Sequence, residues 1–397
     1  MNDTPPPILR IFVPLAAGFL FNGIATVLLG PLIPEMGPRW AVGPQQLAYL
    51  FVAQFLASAL GSILSSHNLR LSLFAGYGSI ALGLVGLAFL PWPEAIVGAA
   101  LLGFGVGLVS PATNVWLGLR LGPRRAQGLT ALNFIWGLGA TVCPLLFTLR
   151  AHGLDASSLL VVLAMSTLVA ALWIAWILSR LPRLATATPE ATAPSPADAP
   201  EATPRTHRWT LGYLALLMFL YVGCETTLGG WLVSLSDELG EAQSQTSLLI
   251  GSSFWGSLLV GRGLSGIVLG RVAPSRLYPA GLGIALLGVS VVLLLPNRTG
   301  LAVAAPMAGF GLAPLFPLQA SFLTTATAQH HGRGAGWVFA CTGLGGGALP
   351  WLTAHVAGES LHSGFVVPLI ALGAMAMIFI LLRRLAPQTL GDPGGFR

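Results

Sequence analysis

The stretch YVGCETTLGGWL, residues 221–232, sets one carboxylate, Glu225, in the middle of a long apolar run. The other acids of the chain fall at the ends of apolar runs or between them. A charge at the centre of a bilayer costs at least a few kcal/mol, so an acid held there marks an ion, proton or substrate pathway. Three chemistries suit it. Burial can raise its pKa until it gains and loses a proton, it can ligate sodium, or it can accept hydrogen bonds from a substrate hydroxyl. The structural alternative is a neutral acid bonded to a neighbouring helix. Tyr221, four residues earlier, shares its helical face and is close enough to share a ligand.

Uncharged donors and acceptors recur in other apolar runs: Asn22, Gln54, Asn114, Asn133 and Gln319. Any one of them is as well suited to joining two helices as to touching a substrate. Taken together with the rings of Trp136, Trp231, Trp255 and Trp337, they describe a binding site for a neutral polyol such as a monosaccharide. Trp116, Trp173 and Trp176 are expected to face lipid or the membrane interface. Arg262 is expected to snorkel to the interface or to brace the following loop; a ligand role for it would go with an anionic substrate.

Enzymatic chemistry finds no support. The seven His and three Cys form no CxxC, no HExxH and no nucleophile–base pair. GLGGG at 343–347 lies within an apolar run with no strand before it, so its glycines read as packing or hinge positions rather than a nucleotide loop. NRT at 297–299 matches a glycosylation acceptor only weakly, in a short connection.

What must position these groups is a membrane bundle. The 397 residues are 54% hydrophobic and 8% charged, with mean hydropathy +0.79, against about 25% charged in soluble domains. Twelve apolar segments fall at 8–33, 44–66, 71–90, 94–119, 125–149, 157–180, 209–235, 243–269, 275–295, 299–326, 333–357 and 363–384. Each can cross a ~30 Å hydrocarbon layer as a helix, which takes about 20 residues. The first ten residues lack the features of a cleaved signal peptide, so the first run is expected to be retained. The chain contains no Lys. With a cytoplasmic N-terminus, all but Arg39, Arg150 and Arg298 of its 19 positive charges fall on the inner side. The net charge of +6 therefore reports orientation, and no nucleic-acid partner is expected.

The predicted fold is all-α, with twelve transmembrane helices in two pseudo-symmetric six-helix bundles. Residues 1–180 form the first bundle, 181–208 an Ala/Thr/Pro-rich cytoplasmic linker and 209–397 the second. The halves repeat: Gly23, Gly30 and Gly61 match Gly223, Gly230 and Gly261, GFG at 103–105 matches GFG at 309–311, and GLG at 137–139 matches GLG at 343–345. Pro111 and Pro144 likewise match Pro317 and Pro350. Matched Gly and Pro mean matched close packing and kinks, as in a transporter that works by rocking two halves about a midplane site.

With these features the chain resembles the major facilitator superfamily, and within it the fucose–proton and sodium–glucose symporter group. Gly61 and Arg70 survive from the superfamily signature between helices 2 and 3, with Ser65 where an Asp belongs. The subgroup resemblance rests on NGIATVLLGPLIP, GFGVGLVSPATN, LNFIWGLGATVCPLL and YVGCETTLGGWL. Fucose permeases carry an acid in helix 4 where this chain has Ser110, so the resemblance does not extend to a helix-4 proton site. It implies alternating access by a secondary active transporter for a monosaccharide, with H+ or Na+ as coupling ion, Glu225 as coupling or binding carboxylate, and no other cofactor. The expected setting is a monomer in the bacterial inner membrane with both termini cytoplasmic. Proton-driven efflux of amphipathic drugs or metabolites on the same fold, and uniport, are the alternatives.

Overall fold

The computed structural model describes residues 8–65, 68–121, 125–180, 204–240, 244–269, 271–328 and 335–390. Among them there is no strand. The helices make twelve crossing segments: α1 (Ile8–Val27 continued by Leu29–Trp40), α2 (Pro44–Leu64), α3 (Leu69–Phe89), α4 (Ala95–Leu121), α5 (Arg125–Leu146), α6 (Ala156–Ser179), α7 (Pro204–Glu238), α8 (Gln245–Val268), α9 (Pro274–Leu294), α10 (Arg298–Leu312 continued by Leu315–Ala328), α11 (Ala335–Val356) and α12 (Leu361–Gly364 continued by Val366–Leu385). Nine are apolar enough to span a membrane by length and hydropathy alone, and the bent α1 makes ten. The other two, α8 and α11, are Gly-rich helices, and α8 also carries Arg262, which lowers its hydropathy.

Most of the expected linker, 181–203, lies outside the described residues. Its last residues do not belong to it, because α7 already begins at Pro204. The first apolar run, expected as one helix, is bent by 49° between Val27 and Leu29. Pro31 explains the position: it has no N–H to give to the Val27 carbonyl four residues back, and its ring crowds that group. Pro368 stands in the same relation to the break in α12, four residues after Gly364, and Pro314 lies within the break in α10.

The repeated glycines make equivalent contacts in the two halves. A Cβ on Gly23 would strike the α5 backbone at Trp136, and one on Gly223 would strike Leu349 of α11. Gly139 abuts the Leu20 carbonyl of α1, and its repeat Gly345 abuts the Phe219 carbonyl of α7. Gly103 packs on Gln54 of α2, and Gly309 on Phe254 of α8. Thus α1–α5 and α2–α4 in the first half correspond to α7–α11 and α8–α10 in the second, each pair held at a separation that only a missing side chain permits.

Contacts between the halves gather at the end bearing the α1–α2, α7–α8 and α11–α12 loops. There Gly30 of α1 meets the Gly229 carbonyl of α7, and Phe51 of α2 packs on Trp231 with ring centroids 5.4 Å apart. Tyr49 meets His355 edge-on at 6.1 Å, and the Gln45 side-chain amide donates to the Gly358 carbonyl at 2.9 Å. The chain is therefore closed at this end. Adding a methyl group at Gly30 pushes against backbone, and overpacking of this kind costs about 1 kcal/mol or more. Gly30→Ala is accordingly expected to raise the population open at this end about fivefold. A Phe51→Cys reporter measures it through its rate of thiol labelling, and an unchanged rate would show that the crossing does not hold the closed state.

Candidate functional site

Glu225 lies on α7 with its side chain 12% exposed. The Tyr221 hydroxyl, one turn earlier, donates to Glu225 Oε1 at 3.1 Å. Arg262 of α8 reaches the same oxygen through Nη2 at 2.6 Å, and the same nitrogen lies 3.1 Å from Tyr221 Oη. Both bonds converge on Oε1, and Oε2 takes neither. Arg262 is thus turned inward to the carboxylate, with 27% of its side chain exposed, rather than outward to the interface as its sequence position suggested. An arginine beside a carboxylate removes much of the penalty of holding that charge at membrane depth, because each ion replaces part of the solvation the other has lost.

Aromatic rings enclose this group. Tyr221 packs on Phe316 of α10 with centroids 5.5 Å apart, and Trp255 of α8 lies two turns before Arg262 on the same face. From the other half, Trp136 of α5 meets Trp255 edge-on at 6.4 Å, and the Arg262 guanidinium carbon lies 5.9 Å from the Trp136 ring centroid. The ion pair is internal to the second half. Its contact with the first half runs through Trp136.

A polar ladder lies within the first half and ends on α5 one turn from Trp136. Asn22 of α1 donates to the Ser110 hydroxyl of α4 at 2.8 Å, and Asn114 donates to the Ser110 carbonyl at 2.8 Å. Asn133 of α5, one turn before Trp136, lies 3.5 Å from Asn114 Oδ1 and donates to the Leu129 carbonyl at 2.8 Å. Gln54 of α2 donates to the Thr26 carbonyl at 2.9 Å, beside the α1 bend. Among the described residues, Asn22 Oδ1, Gln54 Oε1, Trp255 Nε1 and Arg262 Nε are buried without a hydrogen-bond partner. Two acceptors and two donors left over in this way suit a ligand that both donates and accepts, as a hydroxyl does.

Trp337, in the first turn of α11, is 83% exposed and outside the cluster. Gln319 is fully buried and its side-chain amide donates to the Tyr278 hydroxyl of α9 at 2.9 Å. Trp231 is buried at the closed end, where its indole N–H donates to the Pro350 carbonyl at 3.1 Å. Trp116 does not face lipid: it is fully buried, with Arg120 stacked over its ring at 4.4 Å. Trp173 and Trp176 are exposed on α6. Ser110, noted from sequence only as standing where fucose permeases carry an acid, bonds Asn22, and Phe316, not singled out from sequence, packs on Tyr221. Arg262 had one usable signal, its spacing of seven from Trp255, which puts the two on one helical face.

Removing one member of such a pair strands the other, which costs about 3 kcal/mol or more for a fully buried pair and less for one partly exposed. Arg262→Ala is expected to lower the thermal unfolding midpoint in detergent by several degrees, and Glu225→Gln combined with Arg262→Gln to recover most of that loss. Equal loss in the single and double variants would show that the two charges do not support each other.

The sequence profile of the Major Facilitator Superfamily matches the chain over residues 15–228 and again over 214–397. A human protein, sodium-dependent glucose transporter 1, is 22% identical over 95% of this chain and 79% of its own length. The Bacillus subtilis glucose/mannose transporter GlcP is 26% identical over 66% of each chain. Among solved structures, the fucose:proton symporter FucP of E. coli superposes with a TM-score of 0.60 at 17% identity, covering 96% of this chain and all of that one; at that identity the likeness is one of fold. The family consists of transporters rather than enzymes, and its twelve-helix fold is the one found here. The chain is a multi-pass membrane protein of the Major Facilitator Superfamily, similar within it to the fucose–proton and sodium–glucose symporter group.

Proposed function

We propose that the protein is a secondary active transporter for a neutral monosaccharide, working by alternating access with Glu225 as its ion-responsive group. The observation that carries this reading is the Glu225–Arg262–Tyr221 cluster, which meets the first half at Trp136, one turn from Asn133 at the end of the Asn22–Ser110–Asn114–Asn133 ladder. Amides and hydroxyls without net charge suit sugar hydroxyls, and indole faces suit the apolar face of a sugar ring. The names of the human and Bacillus subtilis relatives, both glucose transporters, support the same substrate class.

Arg262 sets the terms of coupling. While it holds Glu225, a proton or a sodium ion meets a positive charge already in place, and its binding is disfavoured. The cation gains access when the guanidinium leaves Oε1, and the Trp136 ring face, 5.9 Å away, offers it a second seat. Rocking of the halves alone does not separate Glu225 from Arg262, because both belong to the second half. It does alter the distance from Arg262 to Trp136, which belongs to the first. Sugar bound between the ladder and the indoles therefore links the position of the halves to the charge state of Glu225. We place the protein as a monomer in a bacterial plasma membrane with both termini cytoplasmic, where the arginine distribution puts them.

Export of amphipathic compounds on the same fold is the competing reading, and it predicts stabilisation by lipophilic cations rather than by hexoses. In proteoliposomes, Glu225→Gln is expected to abolish accumulation of sugar against its gradient and to retain counterflow exchange. Uphill accumulation by that variant would remove Glu225 from the coupling step.

A further inference from the structure

Outside the central site, a groove of about 230 Å³ runs along the outer face of the first half between α3 and α6. Its walls are apolar: Leu73, Phe74 and Tyr77 of α3, with Ala171 and Ala175 one turn apart on α6. Ile174 and Leu178 complete the α6 wall. One mouth of the groove is polar, formed by Arg70 in the first turn of α3 and Ser179 at the last turn of α6. Arg180 follows directly, its guanidinium stacked on the exposed Trp176 ring at 4.0 Å. An indole and an arginine at a helix end are what a membrane interface collects. Nothing in the transport reading uses this place.

We propose that the groove seats one acyl chain of an anionic phospholipid whose phosphate lies between Arg70 and Arg180. The assignment rests on charge and shape together. Arg70 lines the polar end of a channel that is otherwise hydrocarbon in character, Arg180 follows the lining residue Ser179 in the chain, and the arrangement matches the order of groups along a phospholipid. A guanidinium carries about five N–H donors, so Arg70 can serve a phosphate alongside the contact it makes within the protein. Stacking on Trp176 occupies the flat face of Arg180 and leaves its N–H edge to a phosphate.

Native mass spectrometry of the full chain, purified in detergent and incubated with equal amounts of phosphatidylglycerol and phosphatidylcholine, tests this. The unmodified protein is expected to retain one phosphatidylglycerol in preference to phosphatidylcholine. Each arginine near a membrane surface contributes an attraction worth about fivefold in occupancy, so Arg70→Ala with Arg180→Ala should erase the preference. The exposed Arg180→Ala alone should reduce it in part. Ala175→Leu fills the groove and keeps both charges, and it should also lower retention. Retention unchanged in the arginine variants would overturn the proposal. So would loss in the arginine variants with none in Ala175→Leu, or displacement of the lipid by inorganic phosphate, since either outcome would mean a surface charge effect without a seated chain.

Discussion

The ion pair between Glu225 and Arg262 is the interaction on which the rest of the structure depends. Either charge alone at membrane depth would be expensive, and together, with the Tyr221 hydroxyl on the same oxygen, they form a neutral unit that the second half can bury. That arrangement fixes what the site can do. A neutral pair can be reopened by a cation or by a competing hydrogen-bonding ligand, whereas a lone ionised acid would have to be neutralised before the halves could close over it.

The glycine repeat is what brings the pair to a place where it matters. Matched contacts hold α1 against α5 and α7 against α11, so each half is a packed body. Trp136 on α5 then meets Trp255 on α8 across the boundary, and the Gly30–Gly229 and Phe51–Trp231 contacts close one end. The polar ladder from Asn22 to Asn133 lies in the first half and the charges lie in the second. A ligand that touches both must sense the boundary between the halves, which is the requirement for tying binding to rocking.

Much of this was legible in the residues. Long apolar segments and an ordered series of repeated Gly and Pro are enough for two six-helix bundles. The spacing of Tyr221 and Glu225 is enough for their hydrogen bond. Arg262 was misread because its place near a helix end says nothing about which way the helix is rotated, and snorkelling is the common fate of an arginine there. The surroundings of Gln319 and Trp337 were not legible for the same reason: an amide or an indole in an apolar run carries no mark of which neighbour it faces. Arg120 stacks on Trp116 from one turn along the same helix, as their spacing allows, but the burial of Trp116 against other helices is set only when the bundle assembles. The helix breaks near Pro31 and Pro368 were available in principle, since each follows the residue whose carbonyl the proline would have had to engage, and Pro314 lies in the break of α10 itself.

The central claim is that sugar and a coupling cation act on one switch, Glu225 held by Arg262. Equilibrium binding of radiolabelled D-glucose to the purified protein, followed as pH and sodium concentration are varied, tests it most directly. The account predicts saturable binding that strengthens on acidification or with sodium, and loss of that dependence in Glu225→Gln. Ion dependence that persists in Glu225→Gln, or no saturable binding of D-glucose under any of these conditions, would contradict it.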